Sequence, residues 1–162
     1  MTYEIFLSHN HRDLAWCEHV KREAAVAGVT TYLAEHDVQA GHTLAVKVQR
    51  AIKRSRAVAV LISDNSVAAP YVQQEIGYAL ACRKVVIPLV QVGLEGPALA
   101  MLQGVEYIPF DFNEPDDGLA LLNANLTRLV ERQKDVEDAE MLIMACGLLL
   151  VLVLSSNGGA AG

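Results

Sequence analysis

The sequence is poor in cysteine: Cys17, Cys82 and Cys146 are the only three in 162 residues. They lie far apart, in neither metal-ligand nor pairing patterns, which excludes a disulfide-stapled fold or a zinc finger and implies reduced thiols. Basic residues are also few, with 13 Lys and Arg against 19 Asp and Glu and a net charge of −6. No broad basic surface follows from that balance, so nucleic acid is not expected as the main partner. There is no G-x-G-x-x-G and no Walker lysine loop, which sets aside the common dinucleotide and nucleotide cradles. No G-x-S-x-G elbow surrounds Ser8 or Ser63, so a serine nucleophile has little support. The opening "MTYEIFLSHN" begins at once with a strand pattern and has no leader-type apolar region.

What is present is a single domain's worth of chain, 52% apolar and 20% charged, well outside the composition of disorder. Helical and strand patterns alternate along it. "YEIFLS" (Tyr3–Ser8) reads as a strand, followed by a helix from about Arg12 to Ala27 with Leu14, Cys17, Val20 and Ala24 inward and Gly28 as its stop. "VTTYL" is β-branched and aromatic, hence a strand. After a polar loop, Leu44, Val48, Ala51, Ile52 and Ser55 mark one face of a second helix. "AVAVLIS" is a continuous apolar run, as in a parallel strand covered on both faces. A third helix lies between Ser66 and Lys84. "VVIPLV" and "VEYIPF" supply two more strands, and Pro88 places the first of these near an edge or makes it short. Leu119, Leu122, Leu126, Leu129 and Val130 close the domain. Five strands alternating with helices predict an α/β fold. The flavodoxin-like parallel sheet of order 2-1-3-4-5, with helices on both faces, is the expected solution. Ligands then bind beyond the carboxyl ends of the strands, in the loops after Ser8, Leu33 and Ser63.

One residue of the third helix is out of place. Val72, Ile76, Ala79 and Leu80 form a buried face, and Glu75 projects only about 60° from its centre. Tyr71 and Tyr78 flank it. A carboxylate at the edge of a core is costly unless something pairs with it or uses it. Its i+4 neighbour is Ala79, and Arg83 and Lys84 lie too far along the helix. On the residues alone, a solvated surface glutamate and a functional one both remain open. Asp64 ends the third strand, where a phosphoacceptor aspartate would stand. That chemistry needs an acidic pair after the first strand, and this chain has Ser8-His9-Asn10 there. The "HNH" of His9 to His11 lacks a carboxylate cluster and is not read as a metal site, and no metal is expected elsewhere.

These boxes resemble a known family. From Thr2 to about Arg132 the chain resembles a Toll/interleukin-1 receptor (TIR) domain, most like the bacterial ones. "YEIFLSHNHRD" is similar to the family's opening box, and "HDVQAGHTL" to its long loop after the second strand, with Asp37 and Gly41 matching. "AIKRSRAVAVLISDNSVAAPYVQQEIGYAL" is similar to the helix, third strand and following helix that characterise the fold. The resemblance implies cleavage of the nicotinamide–ribose bond of NAD+, as substrate and not as cofactor, by hydrolysis or cyclisation. Glu75 would be the catalytic carboxylate, being the glutamate of a W-x-x-x-E pattern in which Tyr71 replaces the tryptophan. The family also implies that Phe6, Ser8, His9 and Asn10 line the nicotinamide end, with Tyr71 stacking on a base and Arg12 meeting a phosphate. The loop with Asp37, Gly41 and His42 would serve self-association, although Ala40 stands where the family often has proline. The alternative is a non-catalytic TIR–TIR interaction module or adaptor.

The resemblance predicts a TIR domain over residues 1–135. Residues 136–162 read as an acidic linker and an apolar C-terminal segment, a helix or tail that would serve as an anchor or a packing helix. "MLIMACGLLLVLVL" (Met141–Leu154) is short for a membrane span, which needs roughly 18 to 20 residues. It leaves two readings: membrane contact of an otherwise cytoplasmic protein, or packing against protein.

Overall fold

A computed structural model of the chain describes residues 3–33, 43–67, 69–94, 102 and 104–157. The five strands are β1 (Tyr3–Ser8), β2 (Val29–Leu33), β3 (Ala57–Ile62), β4 (Val85–Gln91) and β5 (Ile108–Phe110). They form one parallel sheet in the order β2-β1-β3-β4-β5. The helices are α1 (Leu14–Val26), α2 (Thr43–Arg54), α3 (Pro70–Ala81) and α4 (Asp116–Asn157). The expected flavodoxin-like arrangement is therefore the observed one.

Alternation along β1 divides the core. Phe6 joins Val48 and Ile52 of α2 and Val72, Ile76 and Ala79 of α3 in one apolar cluster with Val58, Val60 and Ile62 of β3. Ile5 and Leu7 point to the opposite face. There α1 buries Cys17, Val20 and Ala24, and α4 buries Leu119, Leu122 and Leu126. Asn123 of α4 donates to the Glu23 carbonyl of α1 at 3.3 Å, so these two helices share that face. All six residues of β3 are buried, which accounts for its unbroken apolar run. Each fully buried aliphatic side chain contributes about 1.5–3 kcal/mol. Leu14 and Leu80, expected inward, are exposed; they lie in the first turn of α1 and the last turn of α3.

Local chemistry sets the element ends. Gly28 takes φ 75°, a left-handed conformation that costs glycine little, and its N–H closes on the Ala25 carbonyl at 3.0 Å to end α1. Pro70 opens α3, where its missing N–H is not needed. Pro88 pairs with Val60 of β3, but β5 pairs only with Leu89, Val90 and Gln91. At Pro88 the strand thus has an edge on one side, which reconciles proline with an internal position in the sheet. Gly118 packs so closely on β5 that a Cβ would meet the Phe110 ring and the Pro109 carbonyl at 2.9 Å.

The chain divides into two compact units, Met1–Thr127 and Arg128–Gly162. Where the sequence suggested a linker and a separate apolar segment, the backbone through Asn157 belongs to α4, and Met141 to Met144 are exposed. No helix among the described residues is long and apolar enough to cross a membrane.

Candidate functional site

The strand order reverses between β1 and β3, and in such sheets the crevice beyond that switch point is the usual ligand position. Ser8 is the last residue of β1, and Ser63 follows β3. The polar loops there begin α1 and α3 and turn their side chains toward one another.

Glu75 lies in the second turn of α3 and is 5% exposed. The Ser8 hydroxyl donates to its Oε2 at 2.5 Å, across 67 residues of sequence. Burial pushes the carboxyl from its ordinary 4.5 up to about 7, and the Ser8 hydrogen bond opposes that rise. Ser8 and Glu75, which the sequence placed on different elements, are therefore bonded directly. The shoulder of α3 that periodicity left ambiguous is turned inward onto the end of β1.

The other expected residues are distributed around this pair. His9 is buried, its Nδ1 3.3 Å from the Leu7 carbonyl, an arrangement that requires Nδ1 to be the donor. Burial lowers its pKa below 6.5, so the imidazole is neutral at pH 7. Tyr71 is half-buried, one turn before Glu75. Its phenol is pushed up by burial and then by the charges of Glu75 and Asp13, against the His11 backbone, so it stays protonated near neutrality. Phe6 is wholly buried, its ring stacked on Tyr32 with centroids 6.1 Å apart. It therefore lies beneath the site, within the core cluster. Arg12 is exposed; its backbone N–H donates to Asn10 Oδ1 at 3.0 Å. Asp37, Gly41 and His42 lie outside the described residues.

Sequence reasoning missed the residue that ties the two loops together. Asp13 is buried; its Oδ2 accepts from Ser63 Oγ at 2.5 Å and its Oδ1 from Asn65 Nδ2 at 2.6 Å. Asn10 Nδ2 donates to the Asn65 carbonyl at 2.8 Å. Ser66 Oγ accepts from the Ser63 N–H at 2.6 Å and donates to the Leu61 carbonyl at 3.0 Å. Ser63 and Ser66, buried at the end of β3, must be satisfied internally, and an acid at the start of the neighbouring helix is a natural acceptor. That requirement was the available signal. Asp64, set aside as a phosphoacceptor from the sequence, is exposed and accepts from Gln91 Nε2 at 2.8 Å.

The arrangement is a carboxyl group in a largely dry setting, bonded to the Ser8 hydroxyl and raised by burial toward neutral pH. As an anion it stabilises positive charge developing beside it; a half-buried aromatic ring one turn away presents a flat face.

Comparison with known proteins adds the family context. The family model described as TIR domain matches residues 5–123. Among solved structures, the TIR domain of the Toll-related receptor TRR-2 from Hydra magnipapillata is 20% identical, with a TM-score of 0.63 covering 80% of this chain and 99% of its own. The CMP N-glycosidase BcmB from Clostridium botulinum is 17% identical, with a TM-score of 0.56 covering 75% and 98%. A metazoan TIR-STING receptor from C. gigas is 21% identical, with a TM-score of 0.58 covering 75% of this chain and 39% of that one. At these identities the likeness is one of fold. No curated protein matches the sequence.

Proposed function

This chain belongs to the TIR domain family, and from that premise we propose that it cleaves the nicotinamide–ribose bond of NAD+, with Glu75 as the catalytic carboxylate. The observation that carries the reading is the burial of Glu75 at the sheet's switch point, with the Ser8 hydroxyl bonded to its carboxyl group. A solvated surface glutamate has no need of either feature. The fold also accommodates glycosidic-bond chemistry, since one of its solved examples is named a CMP N-glycosidase.

The chemistry follows from charge. In NAD+ the nicotinamide ring is cationic, so breaking the C1′–N bond returns the electron pair to the ring nitrogen and releases neutral nicotinamide. Positive charge moves to the ribose as an oxocarbenium-like centre. Ionised Glu75 stabilises that charge, and Ser8 fixes the orientation of the carboxylate. Water then adds at C1′ and loses a proton to solvent, giving ADP-ribose. Attack by another part of the same molecule gives a cyclic product. Because the leaving group departs neutral, no second acid is required. Tyr71 offers its ring to a flat base, and the exposed Arg12 side chain is available to a phosphate. Self-association through the loop of Asp37, Gly41 and His42 belongs to the same proposal. NAD+ and the free thiols of Cys17 and Cys82 are both at home in a cytoplasm.

The test is incubation of the full chain with NAD+ at high protein concentration or with a crowding agent, with Glu75→Ala alongside and the products separated. Wild type releases nicotinamide and the variant is slower by about 10²–10³. Equal release by both overturns the role of Glu75. No release by either, across several conditions, favours the interaction-module reading.

A further inference from the structure

The sheet face that carries Ser8 and Glu75 also carries a separate groove, toward the other end of β1. It has a volume of about 200 Å³, is partly open to solvent, and is lined by Glu4 of β1, Tyr32 of β2, and Lys47, Arg50, Ala51 and Arg54 of α2. We propose that this groove is a second ligand site, for a nucleoside phosphate.

Three chemistries meet there. Lys47, Arg50 and Arg54 stand at i, i+3 and i+7, on one stripe of α2 about 10 Å long. Among the described residues no hydrogen bond or ion pair engages their side chains. Like charges at this spacing oppose one another, in a chain whose net charge is −6. An anion bridging two of the three relieves that repulsion, and the arginine forks match phosphate oxygens. Ala51 lies within the stripe and keeps the space between the cations open. Tyr32 is 42% exposed, while its ring is held by stacking on Phe6, so it offers a pre-oriented face to a base. Glu4 lines the same groove with a carboxylate, an acceptor suited to ribose hydroxyls and poorly suited to a bare anion. Cations for the phosphates, a ring for the base and an acid for the sugar are together more specific than a basic patch.

The groove is distinct from the Glu75 site. Glu4 and Ser8 point to the same side of β1 but are four residues apart, about 13 Å along the strand, with buried Phe6 between them. Its occupancy does not depend on whether the chain cleaves NAD+.

Calorimetric titration of the full chain at low salt, with ADP and with inorganic pyrophosphate as probes, tests the assignment. Both bind saturably, and ADP binds about tenfold more tightly because its base stacks. Neutralising the stripe with Arg50→Gln and Arg54→Gln weakens both ligands at least about tenfold. Tyr32→Leu reduces ADP to the affinity of pyrophosphate, with circular dichroism confirming that the sheet survives the change. Arg22→Gln, at an exposed position of α1 across the sheet, alters neither ligand. Absence of saturable ADP binding, or unchanged binding in the Arg50/Arg54 double variant, overturns the proposal. Loss of binding in Arg22→Gln with retention in the double variant overturns it as well.

Discussion

Replacing Glu75 with glutamine should stabilise the fold strongly at pH 8 and weakly at pH 5. The carboxyl titrates near 4.5 when solvated and near 7 in the folded chain. Between those values the folded state keeps a proton that the unfolded chain has released, so stability falls as pH rises through this window. Above about 7 the loss is complete. The rise from 4.5 to about 7, at 1.36 kcal/mol for each pH unit, amounts to about 3 kcal/mol, and solvent screens it little because Glu75 is buried. Glutamine has the same shape, does not ionise, and its Oε1 still accepts from the Ser8 hydroxyl. The variant should gain about 3 kcal/mol at pH 8 and less than about 1 kcal/mol at pH 5. Urea denaturation followed by circular dichroism at the two pH values measures both increments. Contributions from His9 and other titrating groups cancel in the difference, since both proteins share them. An increment that is the same at pH 5 and pH 8 would show that burial does not hold the Glu75 carboxyl near 7, and the reasoning would fail.

Other consequences follow from the same contacts. Ser8→Ala removes a hydrogen bond that opposes the rise in the Glu75 pKa, so the midpoint of the pH–rate profile should move up by about one unit; a stationary midpoint would contradict the role of that bond. Asp13→Ala leaves Ser63 and Asn65 without their acceptor and should cost about 3 kcal/mol in urea denaturation, with Asp13→Asn costing less; a loss below about 0.5 kcal/mol would mean that the loops are held by something else. Tyr71→Ala should raise KM for NAD+ about tenfold while Tyr71→Phe leaves it near wild type, since the ring and not the hydroxyl does the stacking; equal effects of the two would assign the role to the hydroxyl.

The parts of the fold legible in the sequence were those fixed by periodicity over several turns. The all-apolar run of β3, the spacing of Leu119, Leu122 and Leu126, and the stop at Gly28 each carry enough local information to be placed without a partner. Pro88 pointed to a short strand or a place near an edge; β4 has seven residues and lies inside the sheet beside the edge strand, and it accommodates the proline because β5 has only three residues, which no local pattern encodes. Glu75 was conspicuous because its charge conflicted with its position on α3; its partner Ser8 was not, since a serine at a strand end is ordinary and the bond spans 67 residues. Asp13 was harder still. At the start of α1 an aspartate reads as a helix-start charge, and only the meeting of two loops from separate strands shows it accepting from Ser63 and Asn65. The apolar stretch from Met141 to Leu154, read as a helix or tail, has helical backbone continuous with α4, in keeping with the helix propensity of leucine, methionine and alanine.

The most direct measurement of the central claim is nicotinamide release from NAD+ at pH 8 by the full chain and by Glu75→Gln, with protein concentration matched and high enough to permit assembly. Glutamine preserves the fold, the side-chain shape and the Ser8 contact, so only the negative charge is lost. The predicted result is release by wild type and a loss of about 10²–10³ in rate for the variant. Equal rates for the two proteins, or no release by wild type, would contradict the account.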